Sequence, residues 1–131
     1  MISSGAFGYV DVLTTAADNS WLRNEILTNN IANVDTPGYK RQDVQFETYL
    51  NSALESPANP YSTLNQRVKN ADLSTVRSRV YTDNASLSYR LDGNNVDIET
   101  ENVELASNQL TYNALIDSMN NEFSRMKSVI K

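Results

Sequence analysis

Seven apolar residues near the end of this chain keep a spacing that few folds can use. Leu105, Tyr112, Ile116, Met119, Phe123, Met126 and Ile130 follow one another at steps of three and four, with Gln109 the polar member of the series. That spacing holds a narrow stripe on one side of a helix, the a/d pattern of a coiled coil. The helix it predicts runs from about Asp97 to Lys131. At 1.5 Å rise per residue it is roughly 50 Å long, too long for a compact domain of this size. With the helix expected to reach almost the last residue, no compact domain follows to cover the stripe. The stripe therefore asks for a partner helix, and points to assembly before catalysis.

A second heptad register lies near the start. Val10, Leu13, Ala17, Leu27, Ile31 and Val34 share it, Ser20 and Asn24 fill its two middle positions, and Trp21 flanks them. A helix is predicted from about Ser4 to Asn33, capped by Ser3 or Ser4. It stops at Asp35-Thr36-Pro37-Gly38. The residue before a proline avoids the helical region, and Pro-Gly suits the centre of a type II turn.

The segment between the two helices is less regular. Phe46, Tyr49, Leu50, Ala53 and Leu54 have helical spacing and predict a short second helix. Ser56 to Thr63, with Pro57 and Pro60, reads as a loop. Leu87, Tyr89 and Leu91 alternate with Ser86, Ser88 and Arg90, and Val96 and Ile98 alternate again beyond Asp92-Gly93. A small β-hairpin or ribbon around residues 74–98 follows. In the last helix Asp97 is a good N-cap. Glu99, Glu101 and Glu104 crowd the first turn, read as a solvated face, while Arg125, Lys127 and Lys131 sit at the other end, as the helix dipole prefers.

The expected fold is therefore mainly α. Residues 1–34 and 97–131 form two long helices paired as an antiparallel coiled-coil hairpin. Residues 35–96 supply a turn, a short helix, a loop and a small β-hairpin, and the whole is one structural unit.

Composition narrows function by exclusion. The chain of 131 residues has no Cys and no His, and a formal net charge of -5. Disulfides, thiolate sites, Ser-His dyads and most transition-metal sites drop out. A general basic face for nucleic acid is not expected, and no apolar run is long enough to span a membrane. Met1 to Val12 shows no basic region followed by an apolar one, so no cleaved secretory signal is expected. Asp92-Gly93-Asn94-Asn95-Val96-Asp97 looks like a calcium loop at first. However, the sixth and twelfth positions of that pattern would be Asp97 and Val103 rather than Gly and Glu,. No catalytic residue, cofactor or metal is expected, and an enzyme is not.

The segment Asn29 to Arg41 stands apart. Three Asn within five residues at a helix end are locally costly, because Asn competes for backbone hydrogen bonds. They read either as a simple C-cap or as amides bonding neighbouring backbone, within the chain or across subunits.

The run Asn30-Ile31-Ala32-Asn33-Val34-Asp35-Thr36-Pro37-Gly38-Tyr39-Lys40 resembles the signature of bacterial flagellar rod, hook and hook-associated axial proteins. Its continuation Arg41-Gln42-Asp43-Val44-Gln45-Phe46, and Asp92 to Asp97 followed by Glu101, Asn108, Gln109, Leu110 and Tyr112, resemble the proximal-rod branch. The likeness covers roughly residues 10–50 and 90–131. It implies a structural subunit of the basal-body rod, part of the drive shaft for motility, that polymerises through its terminal helices. It implies export by the flagellar type III apparatus without a cleaved signal. The partners implied are copies of the chain, neighbouring rod subunits, rotor-ring or rod-adaptor proteins, and that apparatus. The expected assembly residues are Asn30, Asn33, Thr36, Pro37, Gly38 and Tyr39, with the seven stripe residues from Leu105 to Ile130. Gly38 is expected at positive φ. The alternative is a soluble helical adaptor or export chaperone, which small size, acidity and heptads suit equally well.

Overall fold

The computed structural model describes residues 4–55, 60–84 and 90–130. Two long helices dominate it. Helix α1 spans Ser4–Ala32. The last helix spans Ile98–Val129 and starts on the side chain of Asp97, which accepts from the amides of Glu99 and Thr100. Between them come strand β1 (Gln42–Gln45), helix α2 (Glu47–Leu54), helix α3 (Leu64–Asn70), a 3-10 turn at Leu73–Thr75 and strand β2 (Arg79–Thr82), so the last helix is α4.

Helices α1 and α4 form an antiparallel hairpin. Ser20 meets Asn108, Arg23 meets Glu104 and Asn30 meets Glu101, so positions rise along one helix as they fall along the other. From α1 the hairpin buries Val10, Ala17 and, completely, Leu27. Full burial of a leucine stabilises by about 1.5–3 kcal/mol. The predicted polar seam position Ser20 is also buried. Its hydroxyl donates to Asn108 Oδ1 at 3.1 Å, while Asn108 Nδ2 returns a bond to the Ser20 carbonyl at 2.8 Å. Trp21 stays largely exposed, its ring 5.9 Å from that of Tyr112.

A small apolar core forms on the flank of this hairpin. Ile26 packs with Val44 of β1 and with Phe46, and Ala16, Leu22, Leu50 and Val76 close around them. Helix α2 forms where the spacing of Phe46, Leu50 and Leu54 predicts it. Helix α3 is unpredicted. It starts in a capping box, in which Thr63 accepts from the Gln66 amide and the Gln66 side chain accepts from the Thr63 amide,. Its one buried residue, Val68, lies against α1 at Gly8, where an added Cβ would sit 3.4 Å from Val68 Cγ1.

The sheet differs from the expected hairpin. Strand β2 lies in the expected 74–98 region, but its antiparallel partner is β1, in the register Gln42–Thr82 through Gln45–Arg79. Leu87 and Tyr89 fall outside the described residues. Leu91 sits in a turn, Val96 is buried on the approach to α4, and Ile98 opens that helix. Alternation marks residues suited to a pleated surface; it does not name their partner. Here Asn94 and Asn95 bind the end of α1 and the ends of the two strands.

Candidate functional site

The chain leaves α1 through the turn predicted from Pro37-Gly38. The Tyr39 amide donates to the Thr36 carbonyl at 3.2 Å and Gly38 has φ 72°, the arrangement of a type II turn,. A second turn, Arg90 to Gly93, closes through the Gly93 amide and the Arg90 carbonyl at 3.2 Å, with Gly93 at φ 78°. The two turns stand back to back. The Gly38 amide donates to the Asp92 carbonyl at 2.7 Å, and a Cβ on Gly93 would lie 3.7 Å from Gly38 Cα. Both glycines thus hold a left-handed φ, the conformation that favours glycine,.

Three asparagines hold this junction. Asn30 is fully buried. Its Nδ2 donates to the Gln42 carbonyl at 2.7 Å and to Glu101 at 3.1 Å, while its Oδ1 accepts from the Gln42 amide and the Tyr39 hydroxyl. All four hydrogen-bonding positions of the amide are filled within the chain. Asn94, also fully buried, places Nδ2 2.9 Å from the carbonyls of Asn33, Val34 and Thr36, and its Oδ1 accepts from the Val96 amide. Asn95 completes the strand ladder at its end. It accepts from the Arg41 amide and donates to the Asp83 carbonyl, the two groups a further ladder bond would have joined,. Asn33 plays a smaller part, accepting from the Thr36 hydroxyl and donating to the Asn29 carbonyl.

Charge fills the remaining space. Glu101 is 1% exposed and receives the Arg41 guanidinium at 2.5 Å. Arg41 also reaches Asp43 and Asp83, and Arg23 ties Asp43 to Glu104. Burial opposes the charge on Arg41, but Glu101, Asp83 and Asp43 more than offset it and hold its pKa above the usual arginine value. Burial likewise opposes the charge on Asp43. The hydrogen bond from Arg23, the Val44 amide and the two arginines outweigh it, so Asp43 titrates below the ordinary carboxylate range. Burial and the charge of Glu101 raise the Tyr39 hydroxyl, keeping it a donor to Asn30,.

The first-turn glutamates therefore correct the expectation of a solvated face. Glu99 is exposed, but Glu101 is buried and Glu104 is ion-paired. Polarity alone assigns acids to the surface. Only the third dimension shows that Arg41, sixty positions away, meets Glu101.

The stripe of α4 divides into two rows. Leu105, Tyr112, Met119 and Met126, seven apart, are half-buried, with Tyr112 beside Trp21 of α1. The inward row that completes the seam is Glu101, Asn108, Leu115 and Glu122, not the expected row of Gln109, Ile116, Phe123 and Ile130. Asn108 is 5% exposed and Gln109 exposed, Phe123 is 50% exposed and Ile130 71%. Hydrogen bonding explains the rotation: Glu101 and Asn108 have partners on the inside, which hydrophobicity counts cannot register. Of the predicted site residues, Asn30, Asn33, Thr36, Gly38 and Tyr39 come together at the junction, with Pro37 at its exposed tip. Ile116, Phe123 and Ile130 lie far from it along the outer row of α4.

Among the described residues no helix is long and apolar enough to cross a membrane, and no group of three or more Asp or Glu is placed to hold a metal ion. Residues 11–40, which contain most of α1 and the first turn, match the family described as Flagella basal body rod protein. The chain is 36% identical over 126 residues to the flagellar basal body rod protein FlgB of Bacillus subtilis (strain 168), covering 94% of this chain and 93% of that one. It is 36% identical over 134 residues to the protein of that name from Borrelia hermsii, covering 96% and 93%. Against that of Escherichia coli (strain K12) the identity is 29% over 115 residues, covering 83% of each.

Proposed function

This chain belongs to the FlgB family of flagellar basal body rod proteins, and from that membership we propose that it is a proximal-rod subunit that polymerises through its terminal helices as part of the drive shaft. Its work is packing and load-bearing, without a catalytic step. Residues 1–34 and 97–131 act as the assembling helices. Residues 35–96 set the angle at which the ribbon leaves them.

The observation that carries this reading is the outer row of α4. Ile116, Phe123 and Ile130 are uncovered or half-covered by their own chain, along a helix whose inner row is already used. An open helical polymer needs two different complementary surfaces on each copy. The second is a groove of about 220 Å³ between α1, α2 and α4, lined by Ala16, Ser20, Phe46, Leu50 and Leu115 among others. The exposed tip Asp35 to Gly38 meets an adjacent subunit. Rod neighbours and the rotor-ring or rod-adaptor proteins are its partners, and the flagellar type III apparatus delivers it without a cleaved signal.

The test is Phe123→Asp in the chromosomal copy. Expected is a chain made at normal level, with motility lost and rods absent from purified basal bodies. Wild-type swimming by that strain would sink the outer-row argument.

A further inference from the structure

The two-stranded ribbon has one sealed edge and one open edge. In an antiparallel pair, alternate residues turn their backbone groups toward the partner and away from it. The Asp83 amide donates to the Arg41 carbonyl, which puts 83–41, 81–43 and 79–45 in the bonded pairs. Residues 42 and 44 of β1, and 80 and 82 of β2, then point their amides and carbonyls outward. On the β1 side this edge is closed: Asn30 takes both backbone groups of Gln42, and Asp43 Oδ1 accepts the Val44 amide. On the β2 side no backbone or side-chain group among the described residues bonds Val80 or Thr82.

That open edge lacks the usual protections. All four residues of β2 are exposed, Val80 by 44% and Tyr81 by 40%. The strand Arg79-Val80-Tyr81-Thr82 holds neither proline nor glycine, and three of its residues have high strand propensity. Its charge is one-sided. Arg77 and Arg79 are exposed and have no ion-pair partner among the described residues, whereas the acids of the ribbon, Asp43 and Asp83, are committed to Arg23 and Arg41. In a chain of net charge -5, this strand is a local cationic site.

We propose that the free edge of β2 is a docking site for an extended acidic segment of a partner protein, which adds to the ribbon as a third strand. Main-chain bonds to Val80 and Thr82 supply the register, and acidic side chains meet Arg77 and Arg79. The site is distinct from the helical surfaces invoked for polymerisation and stands without them.

The test uses the full-length chain and a fluorescein-labelled octapeptide of alternating Glu and Val, titrated by anisotropy at neutral pH. Saturable binding is expected, with the Lys/Val counterpart weaker by about fivefold or more, the worth of two exposed ion pairs. Val80→Pro removes only an outward amide and leaves every β1–β2 bond in place, so it should abolish binding while circular dichroism stays native. Should that variant misfold, the double change Arg77→Glu and Arg79→Glu leaves the backbone alone and should reverse the peptide preference. The proposal is overturned if the Glu/Val peptide does not saturate, or if the charge-swapped chain binds it unchanged. Dimerisation of the chain alone that Val80→Pro abolishes would also overturn it, by giving the edge to a second copy.

Discussion

The two ends of the α1–α4 hairpin solve opposite problems. Where α1 ends and α4 begins, polar side chains are buried and bonded almost to saturation: Asn30, Asn94 and Glu101 are each 1% exposed or less. Toward the end of α4, apolar side chains face outward, with Phe123 half exposed and Ile130 more so. The usual rule places apolar groups inside and polar ones outside, and this molecule inverts it at both ends. A buried polar group is costly unless every bond is made, so the junction specifies one geometry within a single chain. An exposed apolar row has no such obligation until something covers it. The first region is finished by folding and the second is left uncovered by it.

The contrast is broken most severely by Glu101→Ala. Removing this carboxylate leaves Arg41 Nε and one Asn30 donor without that partner in a buried site, while Asp43 and Asp83 still hold the rest of the guanidinium, a loss of about 2–3 kcal/mol. The melting temperature should fall steeply, and a variant that melts with the parent would show the junction to be solvated. Gly38→Val comes next. An added Cβ would have open space, so its cost is the left-handed φ alone, about 1–2 kcal/mol, larger for a β-branched residue. Denaturant titration reads it directly, and an unchanged midpoint would mean the turn does not need its positive φ.

Acid probes the same region more gently. Asp43 titrates lower in the folded chain than unfolded. Its contribution is therefore complete above the unfolded value, near pH 4, and drains away as pH falls through the lower, folded one. The melting temperature should be flat with respect to Asp43 from neutrality to about pH 5 and fall below about pH 4, and Asp43→Asn should flatten that fall. The smallest effect on stability belongs to the other end. Phe123→Asp should shift the unfolding free energy of the isolated chain by about 0.5 kcal/mol or less, as surface changes do. A large loss there would erase the contrast by showing that Phe123 is folded into its own monomer.

The sequence reveals the regular parts of this fold and conceals its long-range pairs. Both terminal helices, the Asp97 cap and the positive φ of Gly38 follow from periodicity and turn chemistry, because each is decided within a few residues. Helix α3 was legible too, through Thr63 and Gln66, but its apolar periodicity is too short to draw notice. The pairing of β1 with β2 was not legible: alternation is symmetric and names no partner. Nor was the burial of Glu101 or Asn108, since a polar residue goes inside only when a specific partner waits there. The candidate site divides the same way. Asn30 to Tyr39 stand out as a motif, while Arg41, Asn94, Asn95 and Glu101, which complete the junction, are ordinary polar residues until the chain folds.

The junction also has a mechanical meaning. Apolar contacts tolerate sliding and rotation, because burial has no preferred direction. Hydrogen bonds weaken steeply when bent. Asn30 grips both backbone groups of Gln42 and also bonds Tyr39 and Glu101, so twisting α1 about its own axis would strain several bonds at once. In a rod component that contains no cysteine, torsional stiffness then comes from amide geometry, where other proteins use covalent cross-links.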